Sequence, residues 1–243
     1  MATREGQADD RDANAQLQLR EERMKRFLAA ASHDLQSPLR HIAMHADILC
    51  DDLADRLEAD HLASLGMIVE RAKHLQNMTK ALMSFAAGTP QVAIAPVDLE
   101  ALLVTVARDL EEQITAANAT LTHKALPVIN ADPQLLGKVL RNLLINSIEH
   151  GATTAQRIDV SASNEKDHLL ILVKDNGPGI DARYQQHIFE PFWKLPRNGS
   201  TPGAGLGLTI ARELMEAMRG TLTLVQSDAS GTTFAIKIPV GTR

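Results

Sequence analysis

From Leu17 to Leu57 apolar residues return at three- and four-residue steps, through Met24, Leu28, Ala31, Leu35, Leu39, Ile42, Ala46, Leu49, Leu53 and Leu57. That spacing predicts one long helix with a narrow buried stripe, ending in a short turn at 58–60. The pattern resumes at Leu62, Leu65, Val69, Ala72, Leu75, Thr79 and Leu82. This second helix stops at Gly88-Thr89-Pro90, where glycine and proline oppose its continuation. Two helices joined by a tight turn make an antiparallel hairpin, which cannot cover its own stripe from both sides. Pairing with a second copy into a four-helix bundle, hence a homodimer, is expected. Docking of the stripe on the rest of the chain is the alternative.

Beyond Pro90 the period changes. Apolar runs predict strands at 92–97, 120–123, 158–163, 169–175, 221–226 and 232–239, with helices at 99–117, 133–149 and 206–218. Strand pairs followed by helices predict an α+β chain whose second part is an α/β sandwich, with helices on one face of a mixed sheet. The expected divisions are 1–16, too polar to pack and disordered or a linker, then 17–88 and 89–243. No repeat of fixed period is visible.

At 243 residues the chain has room for two small domains. Its formal net charge of −5 comes from interspersed acids and bases, so no basic face argues for nucleic acid or anionic lipid. The single cysteine, Cys50, has no partner for an internal disulfide and no zinc-ligand set around it, which fits a reducing cytoplasm. No apolar run approaches the roughly 18 to 20 residues of a membrane span.

Five segments carry candidate chemistry, four of them in the second part of the chain. Asn142 and Asn146 stand one turn apart on one helix face, with Leu140, Leu143, Leu144 and Ile148 on the buried side. An asparagine carbonyl is a hard oxygen ligand for Mg²⁺ that adds no negative charge beside a triphosphate; equally, both could bond backbone or water. Asp175-Asn-Gly177-Pro-Gly179-Ile180 follows an apolar strand, where a carboxylate could accept from an adenine amino group or merely cap the turn. Gly203-Ala-Gly205-Leu206-Gly207-Leu208 opens a helix, and its amides could point at phosphate, although flexible loops use the same residues. Ahead of it, Phe189 and Phe192 are expected to anchor a loop rich in Gly, Pro, Ser and Asn that closes over nucleotide.

Ala30-Ala-Ser-His33-Asp34-Leu-Gln-Ser37-Pro38-Leu-Arg40 puts an imidazole beside a carboxylate on the first helix. His33 lies about 200° from both Ala31 and Leu35 at about 100° per residue, so its ring should be exposed. Neutral imidazole is available near pH 7, and Asp34 could hold or accept the ring proton as nitrogen attacks phosphorus. Pro38 removes an amide and should bend or loosen the helix just beyond.

In this order and spacing, the histidine segment, paired asparagines, Asp-x-Gly-x-Gly, phenylalanine segment and glycine run resemble the sensor histidine kinases of two-component systems. Ser32-His-Asp-Leu-Gln-Ser-Pro-Leu-Arg40 is particularly similar to the phytochrome-type members. The resemblance covers about residues 17–240. It implies that 17–88 are the dimerisation and histidine phosphotransfer domain, and that 89–243 are an ATP-binding domain of the gyrase, heat-shock chaperone, histidine kinase and mismatch-repair superfamily.

Carried over by position, the resemblance makes His33 the phosphoacceptor, Asn146 the Mg²⁺ ligand, Asn142 a phosphate-side partner and Asp175 the adenine reader. Gly177, Gly179, Gly203, Gly205 and Gly207 would shape the pocket and lid, Thr232 would place a hydroxyl near adenine, and Lys194 would reach the terminal phosphate. His150, Ile180, Leu206 and Leu208 complete the nucleotide-side set. Glu149 departs from the family, where lysine or arginine is common, and should face solvent. The implied partner is the receiver domain of a response regulator, which takes the phosphoryl group on an aspartate. Members that also hydrolyse that product place a water-holding threonine or asparagine where Ser37 stands. A sensor domain is expected elsewhere, in a longer reading frame or on another chain. The rival readings are a catalytically silent nucleotide-binding scaffold and a chaperone-like or repair-like ATPase.

Overall fold

A computed structural model describes residues 2–53, 56–86, 90–151, 155–196 and 205–240. The chain divides into two compact units, Met1–Gly88 and Thr89–Arg243. Among the described residues no helix is long and apolar enough to cross a membrane.

The first unit is α1 (Ala2–Asp52) and α2 (Ala59–Ala86). Cross-contacts fix their sense: Gln36 Nε2 donates to Met83 Sδ at 3.0 Å, Gln76 Nε2 donates to the Leu39 carbonyl at 3.1 Å, and Lys73 pairs with Asp47 at 3.3 Å. As numbers rise along α1 they fall along α2, so the helices are antiparallel. α1 is helical from Ala2, well ahead of the apolar stripe, and it is continuous through Pro38. It also stops earlier than expected. Asp51 and Asp52 put negative charge at the helix C-terminus, and the last turn holds no basic residue to offset it. Leu53 and Leu57 therefore lie in the connection, where the Arg56 and Leu57 amides both donate to the Leu53 carbonyl.

The seam between the helices is narrower than the stripe. Ala43 and Ala46 of α1 and Val69, Ala72 and Thr79 of α2 are buried, whereas Leu35, Ile42 and Leu49 are 52%, 49% and 45% exposed. Small residues let the two backbones approach, and the large apolar side chains at heptad spacing are left on a second face. Ile68 and Leu75 of α2 are also exposed.

The second unit has β1 (Ala95–Asp98), α3 (Leu99–Asp109), α4 (Glu111–Ala116), β2 (Thr120–His123), β3 (Val128–Ala131) and α5 (Pro133–His150). It continues with β4 (Arg157–Asn164), β5 (His168–Asp175), α6 (Gly207–Ala217), β6 (Thr221–Asp228) and β7 (Gly231–Pro239). Strands run β2-β4-β5-β7-β6 in one mixed sheet, parallel only between β2 and β4, and β1 pairs with β3 in a separate antiparallel ribbon. β5 shows the period of two: Leu169, Ile171, Val173 and Asp175 are buried while the residues between them are not. Opposite that face α5 buries Leu136, Val139, Leu140, Leu143, Leu144 and Ser147, spaced as one helical stripe.

Two expectations for the second unit are also corrected. The helix foreseen over 99–117 breaks at Leu110, which is fully buried with φ −109° and ψ 12°. Core burial turns the chain there, without the glycine or proline that would mark a break. The strand foreseen at 92–97 begins only at Ala95, because its pairing is set by the four-residue β3, too short to stand out as a pattern.

Candidate active site

α5 is anchored before it presents anything. Asp132 is its N-cap, accepting from the Gln134 and Leu135 amides at 2.9 and 3.0 Å through one oxygen and from the Ala93 amide at 2.7 Å through the other. Burial pushes the Asp132 carboxyl up, but these N–H groups, with Lys138 nearby, outweigh it and hold the group below the usual carboxylate range. With Pro133 at the first helical position, the start of α5 is fixed. Asn142 and Asn146 then stand one turn apart and half-buried, beside the fully packed leucines. A side chain added at Gly207 would lie 3.5 Å from Asn142 Oδ1, so Asn142 faces the start of α6.

Asp175 ends β5 and is 6% exposed. Its Oδ1 accepts from the Gly177 amide at 2.8 Å and the Thr232 amide at 3.1 Å, and its Oδ2 from Ser147 Oγ at a long 3.5 Å. Burial raises its pKa and the three donors pull it back without cancelling the rise. Gly179 adopts φ +74°, and a Cβ there would collide with the Asp228 carbonyl oxygen. Only glycine fits that close approach. The next residue, Ile180, donates its amide to Ser227 Oγ at 2.8 Å, and Ser227 Oγ bonds Thr232 Oγ1 at 2.9 Å. The segment after Asp175 is thus tied to β6 and β7, and Gly177 packs against the His150 carbonyl at the end of α5.

The phenylalanine segment divides its labour. The Phe189 carbonyl accepts from Thr209 Oγ1 at 3.0 Å and from Arg212 at 3.3 Å, and its ring meets Phe234 edge-on at 6.3 Å. Phe192 is not the second anchor the sequence suggested. It is 52% exposed with φ +64°, because the backbone turns sharply there against Gly205, itself at φ +70°. Trp193 supplies packing instead, with Tyr184 at 5.6 Å and the His187 ring stacked at 6.2 Å. Leu206 is buried, Gly207 opens α6 and Leu208 is half-buried, whereas Gly203 lies outside the described residues. Glu149 is exposed. Crowding nevertheless strips enough water from its carboxyl to raise its pKa, and the charge of half-buried Lys194 pulls it back.

Three polar residues of this site were missed. Ser147 sits on the buried stripe of α5, and a hydroxyl among leucines was the available signal. Ser227 is brought to Thr232 by hairpin register, and Gln156 donates its side-chain amide to the Ser147 and Ile148 carbonyls, closing the end of α5. The last two carried no local signal.

In the first unit, His33 has a side chain 77% exposed on α1, with Nδ1 3.4 Å from Asp34 Oδ1. Ser37, one turn on, is exposed too, while Ser32 is fully buried in the hairpin with no partner for its hydroxyl among the described residues.

The described residues thus hold an exposed imidazole on a helical hairpin in the first unit and a buried carboxylate at a glycine-lined strand end in the second. Comparison with known proteins assigns each unit to a family. Residues 23–90 match the His Kinase A (phospho-acceptor) domain, and residues 131–242 match the histidine kinase-, DNA gyrase B- and HSP90-like ATPase family. The chain is 31% identical over 221 residues to cyanobacterial phytochrome A of Nostoc sp., covering 90% of this chain and 29% of that protein. It is 28% identical over 238 residues to the signal transduction histidine-protein kinase AfsQ2 of Streptomyces coelicolor, covering 90% and 42%. The crystal structure of full-length ShkA in complex with AMPPNP superposes with a TM-score of 0.70 at 27% identity, over 90% of this chain and 46% of that one. The chain is a histidine kinase catalytic core, and it spans less than half the length of these relatives.

Proposed function

We propose that this chain is an ATP-dependent protein-histidine kinase that phosphorylates His33 and passes the group to an aspartate of a response regulator's receiver domain. The observation that carries the reading is the exposed His33 ring, with Asp34 at its Nδ1. Asp34 holds the Nδ1 proton, which leaves the Nε2 lone pair as nucleophile. In-line attack forms the N–P bond as the bond from the γ-phosphorus to the β–γ bridging oxygen breaks. ADP leaves, and the proton on Nδ1 is shared with or passed to Asp34. Ser37, exposed one turn beyond, would hold a water or the partner's phosphoryl acceptor.

Asp175 would accept from the adenine amino group, Thr232 would bond the ring beside it, and Lys194 would meet the terminal phosphates. Mg²⁺ fits the donor set on α5. Asn146 offers a hard neutral oxygen on a half-buried face, with Asn142 beside it, and phosphates and waters can fill the remaining positions. The ion would neutralise charge on the transferring group. The second apolar face of the hairpin, through Leu35, Ile42, Leu49, Ile68 and Leu75, supports a homodimer. A cytoplasmic setting agrees with the need for ATP and with one unpaired cysteine. Incubation with γ-labelled ATP tests the proposal: the parent chain takes up label and His33→Gln does not. Equal labelling of both would remove His33 from the role.

A further inference from the structure

The pair that would read the purine, Asp175 and Thr232, is backed by a residue in none of the recognised segments. Ser227 stands opposite Thr232 in the β6–β7 register, and their hydroxyl oxygens are 2.9 Å apart. The Ile180 amide donates to Ser227 Oγ at 2.8 Å. Gln185 Nε2 donates to the Ile180 carbonyl at 2.9 Å and the Ser227 carbonyl at 3.3 Å, which fixes both backbones. A hydroxyl has one proton and two acceptor sites. The Ile180 amide takes one acceptor site of Ser227, and either hydroxyl of the 2.9 Å pair can be the donor; with the Ser227 proton directed at Thr232 Oγ1 the chain from Ile180 through Ser227 to Thr232 is polarised in one direction. Thr232, 5% exposed, then has its proton left for a ligand.

We infer that Ser227 is a positioning residue that makes Thr232 a donor toward the base and thereby selects adenine over hypoxanthine or guanine; the inference rests on the nucleotide reading above. Ionised Asp175 offers only acceptor sites, so the two side chains present an acceptor beside a donor. Adenine matches with its amino donor beside the N1 acceptor. Hypoxanthine and guanine reverse both, with the O6 acceptor beside the N1 donor, and would leave buried polar groups unpaired. If the Thr232 proton went to Ser227 instead, Thr232 would show a lone pair that suits an N1–H. The orientation imposed by Ser227 therefore decides the second half of the match.

The test is calorimetric binding of ADP and of its hypoxanthine counterpart IDP to the full chain, with parent, Ser227→Ala, Thr232→Val and the double variant. The parent should prefer ADP. Ser227→Ala should cut the ADP-to-IDP preference about five- to tenfold, the loss expected for one misdirected hydrogen bond, with IDP affinity held or raised. The double variant should lose no more preference than Thr232→Val alone, because both act through one hydroxyl, and Ser227→Thr, which keeps the hydroxyl, should retain it. Parallel weakening of both nucleotides in Ser227→Ala, or additive loss in the double variant, would show a packing role and overturn the inference. Failure of the parent to bind either nucleotide would overturn the nucleotide reading itself, and the inference with it.

Discussion

The Thr232 amide donates to Asp175 Oδ1 at 3.1 Å across 57 residues of sequence. β5 and β7 run antiparallel, and the paired register ends at Lys174 and Thr233, so the next residue of each strand meets on the inner face. Burial holds the Asp175 carboxyl above its ordinary value. The fold therefore binds that proton more tightly than the unfolded chain does, so ionising the group costs stability, and the cost grows as pH rises from the unfolded value through the folded pKa. Asp175→Asn keeps the shape and removes the charge. Its thermal midpoint relative to the parent should be highest at neutral pH and lose that advantage toward about pH 4, near the unfolded value. Nucleotide affinity should fall about tenfold or more. Scanning calorimetry across pH and titration with ADP read the two effects separately.

Asp132 has the opposite sign. Its carboxyl is held below the usual range in the fold, so its stabilisation is present at neutral pH and lost as pH falls through the folded pKa. Asp132→Ala removes the cap of α5 and should cost about 1 to 2 kcal/mol at pH 7. Urea unfolding should show that difference shrinking in acid.

Asn146→Ala should weaken binding of Mg·ATP about tenfold while leaving nucleotide binding in excess chelator little changed, because only the metal-assisted share is lost. Titrations with and without Mg²⁺ check this. Equal loss in both would make Asn146 a packing residue.

Ile42→Glu combined with Leu49→Glu places charges on the hairpin's second apolar face, where the parent residues are 49% and 45% exposed. If that face joins two copies, light scattering should find a dimer for the parent and a monomer for the variant, with the far-ultraviolet helix signal kept. A parent that is monomeric at tens of micromolar would contradict the dimer.

Much of the fold was legible because its elements repeat a period. α5 and β5 announced themselves by apolar spacing, and β2 falls at its foreseen residues. The break at Leu110 was not legible, since a leucine drawn into the core looks like any other helix position. Nor was the division of α1 into an inner seam of alanines and an outer face of larger residues, which depends on what packs against each. The candidate site shows the same split. Asp175, Gly179 and the asparagines stood in recognisable segments. Ser227 and Gln156 act only through strand pairing and a helix end that long-range folding supplies. The outward turn of Phe192 reflects a backbone conformation that composition does not encode.

The most direct measurement is site mapping of the phosphoryl group, by mass spectrometry at neutral to alkaline pH after incubation of the chain with Mg·ATP. The account predicts one acid-labile, alkali-stable modification on the peptide that contains His33. Phosphate found on another residue, or a chain that turns ATP over while His33 stays unmodified, would contradict it.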